Sequence, residues 1–308
     1  MPLVSVRSNN AYKGDTFEEL LAKVDVVAVD LDGTLLNARA DVDDLTASAI
    51  RRASAAGIRV IPATGRVLSV LPETLTAIQD IEYAVCCAGA TVLRMDESRD
   101  FCSALKDDGF EPNEAAEIVG MLIHRYRGDV LVDFSCEGVM YSERSMLAKL
   151  ESFDVPGLSI AYVRRSRRQV DDLVHAASLA SAPVGRINIF TRDERMRLEI
   201  ISTLSEERSY ELGNSLKHNI EINPQGTSKW RGLTWLCDHL GISRDHIMAV
   251  GDSSNDIDML SRAWVGVAMK NASRDALAAA DARTVWANDE SGVARLLSEM
   301  VDIRQSHL

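Results

Sequence analysis

Four short stretches of the chain gather acids, a hydroxyl and a lysine. They are Asp30-Leu31-Asp32-Gly33-Thr34, Thr64-Gly65-Arg66, Lys229 behind Asn223-Pro-Gln-Gly226, and Gly251-Asp252-Ser-Ser-Asn255-Asp256. Asp30, Asp32, Asp252 and Asp256 in one place would crowd negative charge, which is costly unless a cation sits among them. Oxygen-only donors favour a hard divalent ion, and Mg²⁺ is typically held by a few carboxylates with waters and a phosphate completing its shell. Lys229 and the Thr64 hydroxyl suit phosphoryl oxygens. A phosphoryl transition state needs positioning and charge neutralisation above all. A carboxylate such as Asp30 can attack phosphorus to give an aspartyl-phosphate. A second acid two residues on can protonate the leaving oxygen and later activate water. Gly33 lets the backbone turn sharply and approach a phosphate closely.

Elements must bring these clusters together. Val24-Asp-Val-Val-Ala-Val-Asp30 is a nearly continuous apolar run, as expected of a strand buried on both faces. Ile58–Thr64 reads as a second strand, with Pro62 awkward for its end, and Tyr83–Ala88 as a third. His246–Asp252 and Trp264–Met269 follow late in the chain. Helical spacing marks Phe17–Lys23, Leu45–Ala56 ended by Gly57, Val67–Ile78, and Trp230–Leu240 ended by Gly241. Strands separated by helices of this length predict a doubly wound, mainly parallel α/β sheet. Ligands of such sheets bind outside the carboxyl ends of the strands. Asp30, Thr64 and Asp252 each end a strand, so they would converge on one edge, and Lys229 opens the helix before the last of these strands.

The stretch 93–215 has a different texture. Val130–Phe134, Ser159–Val163 and Arg186–Phe190 read as strands with one solvated face, and 113–126, 168–179 and 193–206 read as helices. This predicts an inserted α+β domain, with hinges near 91–95 and 213–218, on a core made of 24–92 and 216–308. Residues 1–23 read as a leader, irregular over 1–15.

Composition excludes several classes. At 308 residues the chain has room for about two domains. Its 34 Lys and Arg against 46 Asp and Glu give a net charge of −12, which argues against nucleic acid or an anionic membrane as partner. No apolar run approaches the ~18 residues that span a bilayer, and Arg7, Lys13 and Asp15 do not fit a signal peptide. Five cysteines without a C-x-x-C pattern read as reduced, buried thiols in a cytoplasmic protein.

Each cluster alone has an ordinary reading. Asp30-x-Asp-Gly could be a turn, Thr64 a helix cap, Lys229 a solvated lysine, and Asp252–Asp256 an acidic first turn. Arg164-Arg165-Ser-Arg167-Arg168 could be a solvated face or a surface that grips an anionic substrate. The six histidines, among them His124, His175, His218, His239, His246 and His307, show no metal-ligand spacing. Trp230, Trp235, Trp264 and Trp286 read as packing residues.

Taken in order, the four clusters resemble the motifs of the haloacid dehalogenase superfamily of phosphatases. The position of the insert is similar to members with a C2-type cap. Val267-Ala-Met269-Lys-Asn271 and Asp289-Glu-Ser-Gly292 resemble the Cof-type branch, class IIB. The resemblance implies Mg²⁺-dependent hydrolysis of a small phosphomonoester, such as a sugar phosphate or a phosphorylated cofactor. It implies Asp30 as nucleophile and metal ligand, and Asp32 as general acid/base with its carbonyl on the metal. Asp252 becomes a further ligand, and Asp256 another, through water. Thr64 and Lys229 would hold the phosphoryl oxygens. Leu31, Gly33, Gly65, Arg66, Asn255 and Asn271 would line the phosphate site, Asn271 near the phosphate or near Lys229. The active site would lie between cap and core. The partner would be a small phosphorylated metabolite, and the protein a monomer or homodimer. A phosphoryl transferase or phosphomutase, or a non-catalytic sensor of a phosphometabolite, is the alternative. One departure is Cys87-Ala88-Gly89-Ala90, where the family usually has Asn-Gly-Ala.

Overall fold

A computed structural model of the chain describes residues 4–6, 16–96, 102–153, 157–207, 210–213 and 219–306. They divide into two compact units, one of 1–64, 71–105 and 228–308, the other of 65–70 and 106–227.

The first unit is built on a six-stranded sheet. Its order is Val4–Val6, Ala282–Thr284, Val265–Ala268, Ile247–Gly251, Val26–Val29 and Arg59–Pro62. The last five are parallel, and Val4–Val6 joins the edge antiparallel. The central strands 26–29 and 247–251 are buried at every position, which explains their unbroken apolar runs. On one face, Val26, Ala28 and Ala249 pack with Leu233, Leu236 and Met259. Helices Asp44–Ala55 and Gly292–Ser306 pack on each other, burying Ile50, Ala53, Leu297 and Met300. A smaller sheet, ordered Tyr83–Cys86, Thr91–Met95 and Cys102–Asp107, with its first two strands antiparallel, touches the large one through the parallel bridge Ala63–Val85. This is the α/β architecture read from the sequence.

The second unit has its own six-stranded sheet, ordered Tyr210–Gly213, Asn219–Pro224, Val184–Thr191, Val130–Cys136, Val139–Glu143 and Arg167–Val170. Its neighbours are antiparallel except the last pair. Helices Pro112–Arg125 and Leu173–Ser178 cover one face, burying Val119, Leu122 and Leu173 against Val132, Phe134, Ile187 and Ile222.

Several local expectations are corrected. Ser159–Val163 lies in the helix Gly157–Ser166, because Ile160 and Val163, three apart, face one cluster with Leu147, Leu150 and Phe153. The helix expected over 168–179 begins only at Leu173. Arg167–Val170 is a strand, and Asp172 caps the helix by accepting from His175 N at 2.8 Å. The helix expected over Val67–Ile78 is split into a 3-10 turn Leu68–Val70 and the short helix Glu73–Thr76, since Pro72 keeps the residue before it out of helical conformation. Within the stretch 1–15, read as irregular, Val4–Val6 is a strand; the helix expected from Phe17 is present as Phe17–Ala22, capped by Thr16 through a capping box with Glu19. Residues 7–15, 214–218 of the second hinge, His218 and His307 lie outside the described residues.

Candidate active site

Strand order places three cluster-bearing ends side by side. Asp30 follows strand 26–29, Thr64 follows 59–62 and Asp252 follows 247–251, and these strands are parallel neighbours. Asp30 N donates to Val250 O at 3.0 Å, which ties its backbone to the adjoining strand. The chain then makes one wide turn, with Leu35 N donating to Asp30 O and Leu36 N to Leu31 O. Gly33 at φ +77° closes that turn. A Cβ there would lie 2.5 Å from Asp252 Oδ2, so glycine is needed for conformation and for space.

Lys229 opens the helix Lys229–His239 and is 1% exposed. Ser228 caps that helix through Arg231 N and donates its own hydroxyl to Asp258 Oδ2 at 2.6 Å. Close packing fixes this end. A Cβ on Gly89 would sit 1.9 Å from Ser228 O, and one on Gly232 would sit 2.9 Å from Gly89 Cα. The turn 87–89 runs through positive φ at Cys87 (50°), Ala88 (53°) and Gly89 (108°). Ala88 therefore holds a left-handed conformation that asparagine or glycine accepts more readily.

The Lys229 ammonium donates to Asp30 Oδ1 at 2.5 Å, to Asp256 Oδ1 at 2.7 Å and to Asn255 Oδ1 at 3.4 Å. Asp256 Oδ2 accepts from the amides of Asp252 and Ser253 at 2.9 and 3.0 Å. The Thr34 hydroxyl donates to Asp252 Oδ1 at 2.9 Å. Asn271 donates to the Gly33 carbonyl at 2.8 Å and accepts from Asn288 N. It thus holds the acid loop from behind. Thr64 is buried, with its amide on Val85 O and its carbonyl on Ala88 N. Asp32 is exposed. Gly65 and Arg66 belong to the second unit, where Arg66 donates to Val70 O.

Burial first, and then the Asp256 charge, push the Asp30 carboxyl well above the usual carboxylate range, against the pull of Lys229. Burial is also the main cause that brings Asp252 to about 6, with the Thr34 hydroxyl opposing it. Burial works against the Lys229 charge too, but Asp256 and Asp30 outweigh it and hold the ammonium above its ordinary value. The site is thus short of positive charge despite its lysine. Asp30, Asp252 and Asp256 can each present an oxygen within 4.8 Å of the others. Such a donor set fits a hard divalent cation. Asp256 has both oxygens engaged already, which suits it to hold Lys229 and the 252–253 amides as well.

Of the expected residues, the structure gathers Asp30, Lys229, Asp252, Asn255 and Asp256 into one bonded cluster, with Asn271 behind the loop. Sequence reasoning gave no role to Thr34, Ser253 or Ser228. Ser253 donates to Asn255 Oδ1 at 2.8 Å. All three stand inside or beside the quoted stretches, so their hydroxyls next to acids were the available signal. The basic run is not one solvated face: Arg167 is buried against Asp133 at 3.0 Å, Arg164 pairs with Glu151, and Arg168 lies over the Tyr141 ring. Cys86, Cys87, Cys136 and Cys237 are buried free thiols. Trp230 and Trp235 pack against the core. Among the described residues, no helix is long and apolar enough to cross a membrane.

Comparison with known proteins agrees with this geometry. The family model described as haloacid dehalogenase-like hydrolase matches residues 27–297. The chain is 26% identical over 278 residues to 5-amino-6-(5-phospho-D-ribitylamino)uracil phosphatase YcsE of Bacillus subtilis, covering 90% of this chain and 96% of that one. It is 27% identical over 278 residues to pyridoxal phosphate phosphatase YbhA of Escherichia coli, covering 88% and 97%. It is also 27% identical to Endoribonuclease YBEY, chloroplastic, of Arabidopsis thaliana, but spans only 48% of that longer protein. A solved haloacid dehalogenase-like hydrolase from B. subtilis superposes with a TM-score of 0.71 at 25% identity, covering 89% of this chain and 99% of that one. The family match over most of its length establishes that the chain belongs to the haloacid dehalogenase-like hydrolases.

Proposed function

We propose that the chain is a Mg²⁺-dependent phosphatase that hydrolyses a small phosphomonoester through an aspartyl-phosphate on Asp30. The observation that carries this reading is the buried Lys229 ammonium shared by Asp30 and Asp256, with Asp252 close by. A carboxylate so placed can attack phosphorus while the lysine neutralises the phosphoryl oxygens. The ester oxygen leaves with a proton from Asp32, whose exposure suits exchange with an incoming alcohol or water. Asp32 then takes a proton from water as it attacks the phosphorus of the acyl phosphate. Inorganic phosphate leaves and the Asp30 carboxylate is regenerated. Thr64 holds a phosphoryl oxygen. Asp30, Asp252 and the Asp32 carbonyl, with Asp256 in support, would hold a divalent ion, which would supply positive charge against the entering phosphate.

The second unit, which takes in most of the stretch 93–215, acts as the cap that chooses the substrate. Sugar phosphates and phosphorylated cofactors are the candidate classes. The names of the B. subtilis and E. coli relatives support small phosphorylated metabolites, and the buried free thiols suit work in the cytoplasm.

Phosphate release from p-nitrophenyl phosphate, with Mg²⁺ and with a chelator, tests this. Release that needs the metal and is lost in Asp30→Asn supports it. Equal release in the chelator, or a wild type inert toward this ester and every phosphorylated metabolite tried, overturns it.

A further inference from the structure

Asp30 and Asp32 are two residues apart but are held in place differently. Asp30 has two ties of its own, its amide on Val250 O and Lys229 on its carboxylate. Asp32 lies beyond both. Its backbone stands at φ −74° and ψ 119°, and Gly33 follows at φ 77° and ψ 2°, so the chain bends out of helical conformation at these two residues. Asp32 is exposed. The backbone of the bend, more than packing, therefore sets where its carboxyl points.

Two later segments of the first unit grip this bend and the chain just after it. Asn271 Nδ2 donates to Gly33 O at 2.8 Å. Asn288 Nδ2 donates to Leu36 O at 2.8 Å, and Asp289 Oδ1 accepts from Ala38 N at 2.6 Å. The grips are joined, since Asn288 N donates to Asn271 Oδ1 at 3.1 Å. Asn271 thus uses its amide as donor and acceptor at once, which few side chains can do. The turn that carries Asn288 is itself braced. Glu290 Oε2 accepts from Ala287 N and from Lys270, each at 2.9 Å, and a Cβ on Gly292 would lie 2.7 Å from Trp286 O. The ordinary reading is a staple for the loop. The placement says more: the grips fall at 33, 36 and 38, beyond Asp32, and none of them is on Asp30. A reacting side chain is aimed by the groups that lock its support.

We propose that Asn271 and Asn288 are positioning residues that act through Asp32. They fix the bend at 32–33 so that the Asp32 carboxyl meets the leaving oxygen. This rests on the phosphatase reading above. In that step Asp30 forms the new bond to phosphorus, the bond to the ester oxygen breaks, and the Asp32 proton passes to that oxygen. Loosening the clamp misaims the proton donor and leaves the attacking carboxylate on its own ties. The loss then grows with the leaving group's need for a proton.

The test is kcat/KM with Mg²⁺ for a series of esters from p-nitrophenyl phosphate to glycerol phosphate, each variant divided by wild type. Asn271→Ala and Asn288→Ala should each lower the value for glycerol phosphate about tenfold, part of what general acid catalysis is worth. For p-nitrophenyl phosphate, whose leaving group needs no proton, the loss should be far smaller. In an Asp32→Asn background the same substitutions should add no further dependence on the leaving group, as changes acting through one group are not additive. Asn271 is exposed, so its truncation leaves the core intact, and thermal unfolding checks that each variant is folded. An equal loss on every ester in folded variants, or no loss at all, overturns the proposal while an active wild type keeps the phosphatase reading. So does a full added effect on top of Asp32→Asn. A wild type inert toward every ester overturns the phosphatase reading and the proposal with it.

Discussion

The Thr34 hydroxyl donates to Asp252 Oδ1 at 2.9 Å, joining residues 218 positions apart in the chain. This bond orients the Asp252 carboxylate and favours its charged form against burial. Thr34→Val keeps the shape and removes the donor. A carboxylate so freed should hold a metal less well, by about tenfold for one lost supporting hydrogen bond. A Mg²⁺ titration of phosphate release should show the half-saturating concentration rise, with the rate at saturating metal reduced less.

Lys229 sits between two buried carboxylates, Asp30 and Asp256. Lys229→Met leaves both without their cation. Breaking such a buried pair costs about 3 kcal/mol or more. The variant should unfold at lower urea, lack phosphatase activity, and gain more thermal stability from added Mg²⁺ than the wild type does. A variant as stable as wild type would mean that the acids shed their charge at no cost.

The turn 87–89 separates conformation from packing. Gly89→Ala would bring a methyl to 1.9 Å from Ser228 O at a φ of +108°. Its expected loss is about 3 kcal/mol or more, through displacement of the helix that carries Lys229. Ala88→Gly, one residue earlier at φ 53°, should gain about 0.5 kcal/mol as the left-handed strain is relieved. Thermal unfolding of the two variants should move in opposite directions.

Asp43 caps the helix Asp44–Ala55, accepting from Thr46 N at 2.7 Å and from the Ser291 hydroxyl at 2.7 Å. Burial alone would raise its carboxyl, but these donors outweigh it and hold it below the ordinary value. Its contribution is therefore present above the unfolded-state pKa and lost as pH falls through the lower folded-state value. Asp43→Ala should cost about 1 kcal/mol at neutral pH. The gap from wild type should close in acid below the ordinary carboxylate range, as followed by urea unfolding at both pH values.

Much of the core was legible because burial on both faces leaves an unbroken apolar run, as in Val26–Val29 and Ile247–Gly251. Asp30, Thr64 and Asp252 were legible as chemistry because each ends such a run. The second unit was harder to read. Gly157–Ser166 alternates like a strand in sequence, and only its docking of Ile160 and Val163 on Leu147 and Phe153 makes it a helix. Val4–Val6 is too short to signal a strand, and its pairing with Ala282–Thr284 is set by a sheet edge almost a chain length away. The positive φ at Cys87 and Ala88 carries no sequence signal, since neither residue type favours it. The clamp on the acid loop joins Asn271 and Asn288 to residues 238 and 252 positions away, which spacing within one segment does not encode.

If Asp30 is the nucleophile, the acyl phosphate can be trapped on its side chain. With an ester such as p-nitrophenyl phosphate, whose leaving group needs no proton, Asp32→Asn should slow the attack of water more than it slows formation of the acyl phosphate, which should then accumulate. This variant would be mixed with a phosphate-labelled ester and Mg²⁺, quenched in acid and digested. Label should appear on the peptide containing Asp30, be released by hydroxylamine, and be absent when Asp30→Asn is added. Label elsewhere, or phosphate release that survives Asp30→Asn, would contradict Asp30 as the nucleophile.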